Sequence, residues 1–416
     1  MSLYVAWTLL CAALVLFMTP GLAFFYGGLV KSKSVVSMMM LSFGSIVTVA
    51  ILYVLIGAGI QGSDEGSKYF GNPFDDFGMA SLSDAAGGAG FEPANITDLY
   101  EGGSFADHAF LVAFCIITVA LVSGAVADRA RFWPWILFAA LFATLVVFPT
   151  FRWIWGPDAW LADNVFGFGG ALDWAGGTVI HQSAGAAALA LALVLGKRVG
   201  FSKELAVSHN VPLVLIGASI LWFGWFGFNT GVYGDNLDHT GLIFLNTLIT
   251  PAAAVIGWLV VETLKDGKPT AVGAASGIVA GLVAITPACA YLTPIWAIVL
   301  GVVAGAVCAC AIDLKFTLGF DDSLDVVGLH LVAGFIGCAY VGLFGSVGGA
   351  ESLFFGGSIE LLGAQVLSSL FVIGFSFVVT YVIGRAIEKS IGFRVKEEDE
   401  IAGIDQVLHG EGYALD

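Results

Sequence analysis

The sequence predicts an all-α polytopic membrane protein of eleven transmembrane helices, an inverted 5+5 repeat plus a C-terminal helix, with the N-terminus outside and the C-terminus inside. Three observations carry this expectation. Charged residues make up only 12% of the 416 and hydrophobic ones 58%, with a mean hydropathy of +0.92. A soluble protein of this length carries about twice that charged fraction. Apolar runs of roughly 20 residues recur from end to end, each long enough to cross ~30 Å of hydrocarbon. The basic residues, finally, are confined almost entirely to alternate loops.

The runs fall at about 3–27, 35–60, 108–127, 132–153, 171–195, 211–231, 240–264, 271–291, 294–312, 325–347 and 360–387. The first begins with no preceding positive region and no small-residue cleavage site, so 3–26 reads as a retained helix. Lys31 and Lys33, Arg129 and Arg131, Lys197, Arg198 and Lys203, Lys265 and Lys268, and Lys315 occupy alternate connections, and Arg385, Lys389, Arg394 and Lys396 the C-terminal end. Of the 16 basic residues only Lys68 and Arg152 are left for the opposite side. Lys and Arg favour the cytoplasm, which sets the orientation. The segment 61–107 is a polar outer loop, with Asp64, Glu65, Asp75, Asp76, Asp84, Glu92, Asp98, Glu101 and Asp107, and it holds much of the net charge of −16. The domains expected are a membrane domain, 1–391, with repeats at about 1–195 and 211–347, and a cytoplasmic tail, 392–416.

All six cysteines, Cys11, Cys115, Cys289, Cys308, Cys310 and Cys338, lie in apolar segments and read as small packing residues. There is no C-x-x-C and no H-E-x-x-H, so neither a metal, a cofactor nor an intramembrane enzyme is indicated. Clusters such as Gly217, Gly224, Gly227 and Gly231 suit close helix crossings, where no hydrophobic effect pulls helices together.

Two elements carry ionisable residues into the membrane at one spacing: DWAGGTVIH at 173–181 and DSLDVVGLH at 322–330. Such residues are costly in hydrocarbon and point to function. They stand at the starts of the fifth and tenth runs, an odd offset, so the chain enters from opposite sides, as in an inverted repeat. Repeats of that kind place their substrate site near the midplane. Eight helical residues rise about 12 Å, which takes each Asp at the edge to a His near the centre. Asp173 can equally serve as a helix cap, and Asp322 more so, since Asp321 and Asp325 compete with it. His181 and His330 could each be an interhelical hydrogen-bond partner. Brought together, they can bond to each other and keep their outer nitrogens free.

Aromatic residues supply the approach. Trp155 lies just before the fifth run, Phe110 and Phe114 one turn apart in the third, and Trp225 and Phe228 one turn apart in GWFGFNTG of the sixth. Trp133, Trp135 and Trp160 read as interfacial anchors. A convergent group of rings attracts a small cation, worth ~2 kcal/mol once desolvated. An aromatic mouth, an apolar pore and a His pair suit a small cation that can shed a proton, and ammonium fits best.

Over essentially the whole chain the sequence resembles the ammonium transporter family (Amt/MEP, relatives of the Rh proteins), in its bacterial branch. The resemblance rests on TPGLAFFYGGLVKSKSV (19–36), GAVADRARF (124–132), DWAGGTVIHQSAG (173–185), GKRVGFSKE (196–204), GWFGFNTG (224–231), ITPAC (285–289), DDSLDVVGLHLVAGFIG (321–337) and GFRVKEEDEIAGID (392–405). It implies a homotrimer in the cell (plasma or inner) membrane, each subunit with its own pore for ammonium and ammonia. By motif, Trp155 and Phe110 resemble the outer recruitment site, Phe114 and Phe228 the stacked gate, and His181 and His330 the pore pair beside Trp225. Asp173 resembles the Asp that supports ammonium mainly by ordering backbone; Asp322 and Tyr26 fall in structural positions. Val232 replaces a Ser, and Leu111 a Gln, found in other members, so weaker external binding is expected. The tail resembles the segment that couples subunits and meets PII-type signalling proteins. Lipid is the only other surrounding expected, and nucleic acid is not. The alternative function is an ammonium sensor or transceptor with little conduction.

Overall fold

The computed structural model describes residues 3–75, 77–80, 105–202, 208–231 and 237–413. Among the described residues ten helical runs are long and apolar enough to span a membrane. They are α1 (Leu3–Leu29), α2 (Ser32–Gly62), α3 (Phe105–Val126), α4 (Phe132–Asp163), α5 (Gly177–Leu195), α6 (Val211–Thr230) and α7 (His239–Asp266), then, after a shorter apolar helix α8 (Ala271–Ile285), α9 (Pro294–Leu318), α10 (Val327–Phe344) and α11 (Glu360–Ser390). The expected outer loop 61–107 is described only at its two ends, since 81–104 lie outside the described residues.

Run eight differs most from expectation. Expected over 271–291, helix α8 stops after 15 residues at Ile285. Pro287 has no N–H with which to continue the helical ladder past Thr286. The chain goes on as buried turns through Leu292. Irregular backbone at such depth needs protein partners. The buried Asn246 amide supplies them, donating to the carbonyls of Cys289 at 2.9 Å and Leu292 at 2.8 Å. Runs five and ten likewise begin later than the hydropathy edge, at Gly177 and Val327.

Glycine sets the tightest crossings. A Cβ on Gly217 of α6 would lie 2.2 Å from the Phe25 backbone nitrogen of α1, and one on Gly305 of α9 only 2.0 Å from the Ala254 carbonyl of α7. Larger residues there would force the helices apart, as expected where packing alone drives association. Leu9, Leu16, Phe17, Ile256, Val260, Val378 and Val382 face outward from the bundle. Five cysteines are buried, whereas Cys310 is exposed on α9.

The basic loops come together at one end. The Arg198 side chain meets Asp128 and Asp321, each at 2.9 Å, and Arg129 donates to the Asp321 carbonyl at 2.6 Å. Burial alone would raise the Asp321 carboxyl, but the hydrogen bond from Arg198 and the charges of Arg129 and Arg198 hold it below its ordinary value. The tail folds against these loops as α12 (Glu397–Ala402) and α13 (Ile404–His409). Asp405 accepts from the amides of Val36 and Ser37 at 3.0 and 2.7 Å, at the start of α2, a helix N-terminus that favours an anion. At the other end Arg152 is buried, and it donates to the carbonyls of Gln61, Ser63 and Ser67. That explains why one arginine departs from the loop pattern: its task is to hold the short hairpin β1 (Gly66–Ser67) and β2 (Phe70–Gly71) against α4.

Candidate functional site

Asp173 caps the start of α5. Its Oδ1 accepts from the amides of Gly176 and Gly177 at 2.9 and 2.7 Å, and its Oδ2 from Thr178 and Val179 at 2.8 and 3.3 Å. These are the unpaired first-turn donors of α5, so the carboxylate caps the helix fourfold. Gly176 has φ of 113°, a left-handed geometry that glycine adopts without strain. The first six residues of α5, Gly177–Gln182, then form a π-helix that carries His181. π-Helical turns widen the register by one residue and recur at functional sites.

The inner element repeats the device. Asp322 Oδ2 accepts from the Val327 amide at 2.7 Å, five residues on, as Asp173 does from Thr178 at 2.8 Å. Asp325, three residues after Asp322, has φ of 63°, matching Gly176. Val327–Val332 is again a six-residue π-helix, and it carries His330.

The two histidines meet. Their Nδ1 atoms lie 3.2 Å apart, with the rings stacked at 24° and centroids 5.3 Å apart. One Nδ1 must therefore carry the hydrogen and the other accept it, which makes the two neutral rings opposite tautomers. His181 Nε2 is buried and has no hydrogen-bond partner. Trp225 stacks on His181 at 5.4 Å and 19°, its Nε1 donating to Thr286 Oγ1 at 2.8 Å. Both imidazoles border a narrow cavity of ≈ 10 Å³, lined otherwise by apolar residues and by Phe228, Trp225 and Tyr26. The Tyr26 hydroxyl donates to the Leu121 carbonyl at 3.0 Å.

Outward from His181 runs a line of rings. Phe228 lies 6.1 Å from His181 and stacks on Phe114 at 4.2 Å and 11°. That spacing is van der Waals contact, so the stack leaves no lumen as it stands. Phe110 packs on Phe114 at 4.5 Å, and Trp155 meets the same ring edge-on at 6.2 Å. Phe110 and Trp155 thus converge on Phe114. The Trp155 indole donates to the Asp173 carbonyl at 3.0 Å, which couples the line of rings to the helix cap. Val232 lies outside the described residues.

Two neighbours carry weight that the motifs did not reveal. Thr286 orients Trp225 from the broken end of α8, and the only hint was its place in ITPAC. Phe151 braces Trp155 edge-on at 5.0 Å; the one-turn spacing of two aromatics on α4 was the available signal. The remaining histidines, given no role, have ordinary partners, such as His209 on the Val30 carbonyl at 2.8 Å and His409 on Ser37 at 3.2 Å.

The comparisons with known proteins agree on one family. The Ammonium Transporter Family model matches residues 6–413. An ammonium transporter of Mycobacterium bovis is 45% identical over 98% of this chain and 89% of its own. Among solved structures, one titled Sensor Amt Protein superposes with a TM-score of 0.85 at 26% identity over 98% of both chains. Candida albicans Mep2 does so with a TM-score of 0.83 at 30% identity, over 95% of this chain and 87% of that one. With a family model spanning nearly its whole length and a bundle superposing on these structures, this multi-span membrane protein belongs to the ammonium transporter family.

Proposed function

We propose that the chain conducts ammonium across the cell membrane through the line from Trp155 to His330. Ammonium is recruited at Trp155 and Phe110, where ring faces attract it and Asp173 orders the backbone. Passage requires the Phe114 and Phe228 rings to part. A bare cation beyond them would enter a cavity with hardly any polar lining, where the desolvation penalty is several kcal/mol. Handing its proton to the free His181 Nε2 removes that penalty. The proton passes through the Nδ1–Nδ1 contact to His330 and on across, which carries the current, while NH3 moves along the same imidazoles. The observation that carries this reading is the buried, unpartnered His181 Nε2 beside the Nδ1–Nδ1 contact of 3.2 Å. His181 lines the cavity, so this nitrogen is available to a small polar ligand there.

In this reading all eleven runs cross the membrane as an inverted 5+5 repeat plus α11, N-terminus out and C-terminus in, with 1–391 as membrane domain and 392–416 as cytoplasmic tail. The shared geometry of the two Asp–His elements supports the repeat. The protein works as a homotrimer with one pore per subunit, and a PII-type protein meets the tail face. Relatives at 45% and 41% identity are named ammonium transporters, which favours conduction over the sensor alternative. The test is ammonium-evoked current in proteoliposomes for wild type and for His181→Ala with His330→Ala. We expect the double variant to lose at least tenfold of the wild-type current. An unchanged current rejects the role of the pair, and no current from correctly inserted wild type returns the sensor reading.

A further inference from the structure

The likeness of the two Asp–His elements continues past the histidines. Each carries a glycine four residues on, in HQSAG at 181–185 and HLVAG at 330–334. Four residues make about one turn, so Gly185 on α5 and Gly334 on α10 lie near the same helix face as their own histidines. Neither has a positive φ, so the backbone does not call for glycine at either place. What glycine supplies is space. A Cβ on Gly185 would lie 2.5 Å from both the backbone nitrogen and the Cβ of Leu331, the residue after His330. A Cβ on Gly334 would lie 2.8 Å from the Gly177 carbonyl, and 3.2 Å from both His181 Cβ and the Cγ of Gln182, the residue after His181. The contacts are reciprocal: the glycine that follows one histidine receives the turn that carries the other. The Gln182 amide donates to Ser369 Oγ of α11 at 3.1 Å, which fixes its stem beside Gly334.

We propose that Gly185 and Gly334 are positioning residues for the histidine pair, a clasp that sets the separation of His181 and His330. Atoms in ordinary contact stand ~3.5–4.0 Å apart, so a methyl group at either glycine parts α5 from α10 by about 1 Å. The Nδ1–Nδ1 contact of 3.2 Å is already near the upper limit of a hydrogen bond, and such a shift breaks it. Glycine weakens a helix relative to alanine. Here it admits the close approach that a bond between the imidazoles requires. The effect on current rests on the proposed transport reading, in which the proton crosses that contact. The separation itself does not depend on conduction.

The test is solid-state NMR of the purified full-length protein with its histidine nitrogens isotopically labelled, which reads the bond whether or not the protein conducts. Wild type is expected to show one Nδ1–H bonded to a second imidazole nitrogen, identified by its loss in His181→Ala. Gly185→Ala and Gly334→Ala should lose that signature, and their ammonium-evoked current in proteoliposomes should fall about tenfold or more. Size-exclusion and thermal-unfolding profiles report which variants fold, and either folded variant suffices. Gly305→Ala, at the tight crossing of α7 and α9, should keep the signature, which separates the clasp from packing in general. A wild type that lacks the bond overturns the proposal. So does a folded Gly185→Ala or Gly334→Ala that keeps it, or its loss in folded Gly305→Ala as well. A variant that loses the bond and keeps its current upholds the clasp and rejects the relay instead.

Discussion

The two Asp–His elements share one backbone device and differ in how its charge is balanced. In the outer element Asp173 has only amides, four of them, and glycine supplies the left-handed residue. In the inner element the left-handed residue is Asp325, itself ionisable, and Lys315 answers it at 2.7 Å while donating to the Asp322 carbonyl at 3.1 Å. Asp322 Oδ1 is buried without a partner. The outer end therefore stabilises an anion through helix geometry alone, whereas the inner end uses a charge cluster that includes the Arg198–Asp321 pair. The difference matters for a passing cation. On the proposed path, a carboxylate spent wholly on amides leaves a negative field without a basic competitor at the Trp155 end, while the Asp322 end presents mixed charge.

The largest expected effect tests whether the caps are really unequal. Asp173→Ala strips four buried amides of their acceptor, and we expect it to lower stability by about 3 kcal/mol or more and to abolish ammonium-evoked current. Asp322→Ala, which loses fewer bonds and relieves a buried charge, should lower it by about 1 kcal/mol at pH 7. Thermal unfolding of the two variants decides, and equal losses would erase the contrast.

A second test follows the charge itself. Burial, and then the neighbouring Asp325, push the Asp322 carboxyl up to about 6, against the pull of Lys315 and two amides. The folded state then holds this proton more tightly than the unfolded chain does. The stability contributed by this group is full below about pH 4 and is lost as pH rises toward 6. Asp321, shifted the other way, loses its contribution as pH falls. The stability difference between wild type and Asp322→Asn should shrink by about 2 kcal/mol between pH 4 and 6.5. A difference that stays constant over that range removes the inner charge cluster from the comparison.

The smallest effect concerns the mouth alone. The resemblance puts Val232 where other members carry a Ser; if that position belongs to the proposed mouth, Val232→Ser should lower half-saturation of the current about threefold with maximal current kept, about the worth of one hydrogen bond. An unchanged concentration dependence means that the rings and backbone already saturate recruitment.

Much of this site was legible in the residues. The D-x7-H spacing singled out His181 and His330, and the one-turn pairing of Phe110 with Phe114 and of Trp225 with Phe228 singled out most of the rings. Capping by Asp173 was one of two readings the sequence left open, and its four amide contacts decide for it. Thr286 and Phe151 were missed, because a Thr beside a Pro in ITPAC and a Phe one turn before Trp155 are weak signals among many such residues. The late starts of α5 and α10 were equally hidden. Hydropathy counts apolar atoms and is blind to a left-handed residue that delays a helix.

By itself the sequence determined the class of the molecule, its membrane runs, the gathering of its basic loops at one end and the pair of histidines, because these follow from transfer energies and from spacing along one helix. Only the tertiary structure decided the 3.2 Å contact between imidazoles 149 residues apart, the closed Phe114–Phe228 stack and the break of α8 that orients Trp225. Those depend on how closely glycine lets the helices approach and on which buried polar atoms find partners. Both are properties of the packed bundle, and neither is a property of any one segment.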